Sequence, residues 1–237
     1  MKIIVFDSGP IISFALNGIL WLLPELKEVY NGRFVFPPSV KKEVIDRPLQ
    51  SRKFGFEALR VNHLLARNVL EVQESAAAHS QAEELLRLAN SSFEAHGTFM
   101  NLVQFAEIEA LALARELHAE AVVIDERTTR MLVEAPENLK SLLEKRLHTQ
   151  ITVHQDTLAR FRSQLSSIKI IRSAELVTVA YAYGLLDEYV DGASTKTAQS
   201  VASSKKGAML ESLLWAMKLN GCAISEKNIA SIIALEK

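Results

Sequence analysis

Four acidic residues occupy positions where carboxylates could gather around a metal ion. Asp7 and Asp125 each follow a run of four apolar residues, a pattern typical of a strand buried on both faces. Glu43 and Glu107 lie in segments with helical spacing and an apolar face. Carboxylates crowded into a low-dielectric cleft repel one another, and a divalent cation relieves the repulsion. Oxygen ligands suit Mg²⁺ or Mn²⁺, and an ion held in this way can activate water and clamp phosphate oxygens.

The elements that must position these acids alternate between strands and helices. Strands are predicted at 3–6, 33–36, 69–72, 121–124 and 168–171. Helices are predicted at 10–29, 40–45, 56–67, 81–90, 102–117, 137–165, 174–186, 209–219 and 226–235, with a loop at 94–97. This alternation favours a parallel α/β sheet. The carboxyl ends of parallel strands share one edge, where the acids could converge.

The sequence resembles the PIN-domain ribonucleases, especially the archaeal and bacterial branch near the VapC-type toxins. The segments that carry the acids are IIVFDSGPII (3–12), FVFPPSVKKEVID (34–46), FAEIEALALAREL (105–117) and AVVIDERTTR (121–130). Two later segments resemble the same branch: RSAELVTVAYAYGLL (172–186) and AMLESLLWAMKLNGCAISEKNIASII (208–233). The resemblance covers most of the chain in patches, and residues 133–167 and 187–206 have no match.

The resemblance implies a three-layer α/β/α fold with a central, mostly parallel sheet, followed by a C-terminal helical pair. It implies a metal-dependent endoribonuclease, usually a homodimer. The toxin-like role of this branch, with an antitoxin-type protein partner, is one alternative that the resemblance leaves open. Asp7, Glu43, Glu107 and Asp125 would be the catalytic metal ligands. Ala106 stands where the branch usually has glycine. Glu107 and Glu109 compete for the third position, and because they lie two apart on a helix, only one can face the site. The spacing to the next strand favours Glu107, and Glu109 would then support the metal ligands from behind or lie at the surface.

Other polar residues near the four acids have a functional and a structural interpretation each. Ser8 could contact the metal shell, or it could cap the helix that follows. Arg127 and Arg130 could bind RNA phosphate, or they could be solvated or ion-paired. The same alternatives hold for a basic group beside Glu43, formed by Lys41, Lys42 and Arg47.

Two other functions compete with the ribonuclease. A strand ending in aspartate also suits a phosphatase with an aspartyl intermediate, but that chemistry usually needs an acid two residues on, and position 9 is glycine. The second alternative is a catalytically silent PIN fold that binds RNA or protein. The six histidines show no ligand spacing, so a zinc site is not expected.

The composition limits the possible domain organisation and the cellular compartment of the protein. The formal charge of −1 in 237 residues argues against a broadly basic, non-specific nucleic-acid binder. Cys222 is the single cysteine, which excludes an internal disulfide and suits a reducing cytoplasm. The apolar stretch at 11–23 is too short and too interrupted to span a membrane. One domain is predicted, with a nuclease part at 1–186, a flexible connector at 187–206 and a helical pair at 207–237.

Overall fold

A central sheet of five parallel strands organises the protein, as the sequence predicts. The computed structural model describes residues 2–191 and 199–235. The strands are β1 (Ile3–Phe6), β2 (Arg33–Phe36), β3 (Glu71–Val72), β6 (Ala121–Val123) and β8 (Ile170–Ile171). Their order across the sheet is β3-β2-β1-β6-β8, and every neighbouring pair is parallel. The central strand β1 therefore lies between the strands that precede Glu43 and Asp125.

Helices cover both faces of this sheet and make the three-layer α/β/α architecture. They are α1 (Ser8–Leu16), α2 (Leu22–Tyr30), α3 (Pro38–Lys41), α4 (Arg47–Leu49), α5 (Gly55–Ala66), α6 (Ala76–Asn90), α7 (Phe105–Glu116), α8 (Arg127–Glu134), α9 (Pro136–Leu147), α10 (Gln155–Leu165), α11 (Ser173–Ala182), α12 (Glu188–Asp191), α13 (Gln199–Leu219) and α14 (Glu226–Leu235). The three-layer fold implied by the resemblance is confirmed.

Alternate residues of the strands enter two separate hydrophobic cores. Ile4 and Phe6 pack in the core that also contains Leu210, Leu214 and Met217 of the C-terminal helix α13. Val5, between them, belongs to the core on the other face of the sheet. Successive strand residues point to opposite faces, so a strand covered on both sides must be apolar throughout. This explains the unbroken apolar run before Asp7.

A small antiparallel sheet lies outside the central one, and the sequence predictions were wrong there. It contains β4 (Phe93–Ala95), β5 (Thr98–Phe99) and β7 (Thr152–Val153), in the order β5-β4-β7. The predicted loop at 94–97 is a hairpin, and the predicted helix at 137–165 is broken by β7. His96 and Gly97 both have positive φ, as a tight two-residue hairpin requires. Strands of two or three residues are too short to carry a periodic signal.

Two helix predictions near the amino terminus were wrong in their bounds. The predicted helix at 10–29 divides into α1 and α2, because the chain leaves the helical conformation at Gly18, where φ is +72°. The predicted helix at 40–45 extends from Pro38 to Leu49 through a π-helical segment, Lys42–Asp46, between α3 and α4. Single π-helical turns occur often at functional sites, and this one contains Glu43.

The region around the predicted connector is described only in part. Helix α12 ends at Asp191 and α13 begins at Gln199, ten residues before the predicted helix start. Residues 192–198 lie outside the described residues, so the flexible connector at 187–206 stays a prediction. The same holds for the bounds of the nuclease part at 1–186 and of the helical pair at 207–237. In the described ranges, no helix is long and apolar enough to cross a membrane.

Candidate functional site

Asp7 and Asp125 are buried next to each other at the carboxyl edge of the central sheet. Asp7 follows β1 directly, and its backbone N–H donates to the carbonyl of Val123 in β6 at 3.0 Å. Both aspartates are 2% exposed. A Cβ atom placed on Gly9 would lie 3.5 Å from Oδ2 of Asp7 and 3.6 Å from Cβ of Asp125. The two strand ends therefore bring both acids close to Gly9.

The Asp7 carboxylate has too few donors for its degree of burial. It caps helix α1, where the N–H of Gly9 donates to Oδ2 at a long 3.4 Å, and the Ser8 hydroxyl approaches Oδ1 at 3.5 Å. The cap of α1 is thus Asp7 and not Ser8, which lies inside the first turn. Burial, then the charge of Glu107 and finally that of Glu43 raise the pKa of Asp7 to about 7. A cation at this point would remove that cost.

Glu107 is the helical acid that shares the electrostatic environment of Asp7. It lies in the first turn of α7, and its Oε2 accepts a short hydrogen bond from the Thr129 hydroxyl. Burial raises the pKa of Glu107, and the charges of Glu126 and Glu43 add to the increase. Asp7, Glu43, Glu107 and Glu126 therefore form a local excess of negative charge at this edge of the sheet.

Asp125 is buried beside these acids but is held by helix α11. Its Oδ1 accepts from the backbone N–H of Ser173 at 2.8 Å, and its Oδ2 accepts from the Ser173 hydroxyl at 2.6 Å. Burial raises the pKa of Asp125 despite these two donors. The thiol of Cys222 lies against the same carboxylate, and burial, followed by the Asp125 charge, raises its pKa to about 12.

The substitution Ser173→Ala is expected to lower the free energy of unfolding by about 1–3 kcal/mol, because a buried carboxylate oxygen loses its donor. Chemical denaturation measures the change. Ser13→Ala is the matched control, because Ser13 is equally buried but its hydroxyl reaches only the sulfur of Met217, at 3.7 Å. Equal losses in the two variants would contradict a specific role for the contact between Ser173 and Asp125.

Glu109, the competitor of Glu107, makes its contacts elsewhere. Its Oε1 lies 2.7 Å from Nδ1 of His79, and its Oε2 accepts from the backbone N–H of Ser39 at 3.2 Å. Glu109 is also buried, so the surface alternative considered for it does not hold. These contacts support Glu107, rather than Glu109, as the residue that faces Asp7.

Basic residues flank the acids on two sides. Arg127 and Arg130 line a cleft of about 620 Å³ together with Lys145 and Arg172, and none of the acids that the structure describes lines it; we call it the Arg130 cleft. The guanidinium of Arg130 forms a long ion pair of 3.8 Å with the carboxylate of Glu134. Its buried Nε has no hydrogen-bond partner among the described residues.

A second cleft, of about 450 Å³, lies on the side of Glu43. Lys42 and Arg47 line it with His79; we call it the His79 cleft. Lys41 points to Asp46 instead, at 3.7 Å. The predicted basic group beside Glu43 therefore divides into two exposed cations at the cleft and one that is engaged with a neighbouring acid.

The donor set has the chemistry that a hard divalent cation requires, although its geometry is not that of a closed cage. Among the described residues, no three His, Cys, Asp or Glu side chains stand close enough together to hold a metal ion. The acids nevertheless supply only oxygen ligands, and the carboxylate of Asp7 is buried without a compensating charge. An ionised carboxylate has about four acceptor positions, so Asp125 can keep Ser173 and still bind a cation.

Sequence reasoning did not identify Glu126, Thr129 and Ser173 as parts of the site. Glu126 is the acid next to Asp125, and its carboxylate caps α8 by accepting from the N–H of Thr128 at 2.9 Å. Ser173 begins the helix after β8, so the rule that placed Asp7 at the carboxyl edge could also have placed Ser173 there.

Comparison with known proteins agrees with this architecture. A family model described as the PIN domain matches residues 3–140, which is more than half of the chain and includes all four predicted acids. No curated protein and no solved structure was found to match. PIN domains are generally nucleases that act on nucleic acid and typically use divalent metal ions. With this match over the strands and helices that gather the carboxylates, the chain belongs to the PIN-domain family.

Proposed function

We propose that this protein is a metal-dependent endoribonuclease that hydrolyses RNA phosphodiester bonds at the carboxyl edge of its sheet. The single observation that carries the proposal is the buried carboxylate of Asp7, whose pKa is raised by burial and by the charges of Glu107 and Glu43. A buried charge without a partner lowers the stability of a fold, whereas in a nuclease the same charge provides a binding site for a cation.

In this proposal each acid has a distinct role. Asp7, Glu43 and Glu107 would hold the cation, and Thr129 fixes the orientation of Glu107. Asp125 would complete the ligand set, and Ser173 holds its carboxylate in place. When bound, Mg²⁺ or Mn²⁺ supplies activation of a water molecule and neutralisation of phosphate charge.

Basic residues on both sides of the acids support RNA as the substrate. Arg127 and Arg130 lie on one side, and Lys42 and Arg47 lie on the other. Cationic side chains of this kind bind phosphate oxygens and hold a strand in register. A strand that spans both clefts crosses the acids between them. Attack of water on phosphorus with departure of the 3′-oxygen leaves a 5′-phosphate and a 3′-hydroxyl, which are the expected product ends.

The test is cleavage of a single-stranded RNA by the purified protein with Mn²⁺, with Mg²⁺ and with a chelator. Glu107→Gln is expected to lower kcat by at least about 100-fold, because it removes a negatively charged metal ligand. Even residues that only orient such ligands typically change activity by about 10–100-fold. Glu109→Gln is the matched control from the same helix and is expected to keep most of kcat. Metal-independent cleavage, or equal kcat losses in both variants, would contradict the assignment. RNA binding without any cleavage would favour the silent PIN fold.

The finer parts of the proposal concern partners. We infer a toxin of the VapC type that forms a homodimer and has an antitoxin-type protein partner. One observation supports a protein partner: Ile12, Leu16 and Phe54 are exposed and line an apolar groove between α1 and α5, next to Glu43. Light scattering measures the assembly, and a monomeric mass at working concentration would contradict the homodimer.

A further inference from the structure

A buried carboxylate holds a histidine at the edge of the site. The side chain of Glu109 is 4% exposed, and both of its oxygens are occupied, one by Nδ1 of His79 and the other by the N–H of Ser39. The carboxylate oxygens are acceptors, so Nδ1 of His79 must carry a proton. Glu109 therefore fixes both the orientation of the ring and the nitrogen that is left for other contacts.

The histidine itself remains open to solvent. Its side chain is 56% exposed, and its ring packs edge-on against Phe105, with ring centroids 5.0 Å apart. Within the part of the chain that the structure describes, Nε2 of His79 has no hydrogen-bond partner. Here the carboxylate is buried and the ring is presented outward.

The cleft that His79 faces carries the groups that bind a phosphate. Lys42 and Arg47 line it, and neither has an ion-pair partner among the described residues. Ser39 also lines it, and its buried hydroxyl has no hydrogen-bond partner there. Glu43, at the boundary, belongs equally to the acids around Asp7. Because Glu109 is occupied by His79 and Ser39, the two cations without an ion-pair partner in the described ranges make this cleft, next to the acids, suited to the phosphate adjacent to the one being cleaved.

We propose that the His79 cleft is an RNA phosphate subsite, in which His79, oriented by Glu109, binds the phosphodiester adjacent to the scissile one together with Lys42 and Arg47. This inference rests on the proposed ribonuclease function and assigns part of its substrate-binding surface. His79 is then a substrate-binding residue, and Glu109 is a positioning residue that acts through it.

The chain contains a matched control for this pair. His154 is bound through Nε2 to Glu94 at 2.8 Å and packs against Phe99 with ring centroids 5.0 Å apart. It lies on the small antiparallel sheet, away from the His79 cleft. His154 therefore also pairs with a glutamate and a phenylalanine, through the other ring nitrogen and with a less buried carboxylate, and it lies outside the cleft.

The experiment measures binding of a fluorescently labelled single-stranded RNA by anisotropy, in the Asp7→Asn background and with a chelator so that no cleavage occurs. His79→Ala is expected to raise Kd roughly tenfold, the loss of one hydrogen bond to a charged group, while His154→Ala leaves Kd unchanged. Lys42→Gln is expected to reduce the slope of log Kd against log salt by about one. In the cleaving protein, His79→Ala is expected to raise KM and to leave kcat nearly unchanged.

His79→Asn separates binding from folding. The asparagine amide can still donate to Glu109 in place of Nδ1, but it offers nothing in place of Nε2. The proposal requires weak RNA binding in this variant with an unchanged free energy of unfolding. If both His79 variants bind RNA as the parent does, the subsite is overturned. The ribonuclease proposal still stands in that case, provided that the parent cleaves RNA. A parent that neither binds nor cleaves RNA would overturn both.

Discussion

The Asp7→Asn variant is expected to lose RNA cleavage by at least about 100-fold at saturating Mn²⁺. Asp7 ends the central strand β1 and lies between β2 and β6, so it is the acid nearest to the middle of the carboxyl edge. Both Glu107 and Glu43 act electrostatically on it. Replacing its carboxylate by an amide of the same shape removes the charge that a cation requires.

The fold is expected to survive this change. Asparagine is as good a helix cap as aspartate, so the start of α1 keeps its hydrogen bond. Asp46→Asn is the control, because Asp46 is a partly exposed acid that follows Glu43 in the same helical region, and its one ion pair among the described residues is with Lys41. Cleavage should be measured as initial rate over a range of Mn²⁺. Parent-like rates in Asp7→Asn would remove the carboxylates from the mechanism.

Much of the fold could be predicted because the strands are buried on both faces. Val5 and Phe6 point into different cores, so neither can be polar, and the same constraint applies to β2 and β6. An acid that directly follows such a run is conspicuous in the sequence. This is why Asp7 and Asp125 could be recognised, together with the parallel sheet that brings them together.

The contacts of the acids could not be predicted, because they depend on how distant segments pack. Ser173 is 48 residues from Asp125, and His79 is 30 residues from Glu109. The spacing to the next strand favours Glu107 over Glu109, but it does not show the contacts that either of them makes. That choice follows from the rotation of α7 about its axis, which is set by the packing of residues such as Ile108 and Leu111 in the core.

Without metal, the protein is expected to lose stability as pH rises from about 4 to above 7. The pKa of Asp7 is about 7 in the folded protein and 3.8 ordinarily, so the folded state binds more protons than the unfolded state across this interval. The free energy of unfolding therefore falls as pH increases. The contribution of Asp7 is about 4 kcal/mol at most, because a tenfold change in acid dissociation corresponds to about 1.4 kcal/mol. Chemical denaturation of chelator-treated protein at several pH values measures it.

Divalent cation should reverse this loss, and Asp7→Asn should abolish the gain from the cation together with the part of the pH dependence that Asp7 contributes. Glu107 and Asp125, whose pKa values burial also raises, keep their parts in the variant. An ion that binds only the folded state adds about 2.7 kcal/mol at a hundred times its Kd, and the gain should be largest at pH 8, where the carboxylates are ionised. The variant carries no titrating group at position 7, so its unfolding free energy should exceed that of the metal-free parent increasingly as pH rises.

Sodium chloride at matched ionic strength is the control, because screening acts weakly on a group as buried as Asp7. A parent whose metal-free stability is flat or rises from pH 5 to 8, or a variant that gains as much from Mn²⁺ as the parent does, would contradict the placement of the cation at Asp7.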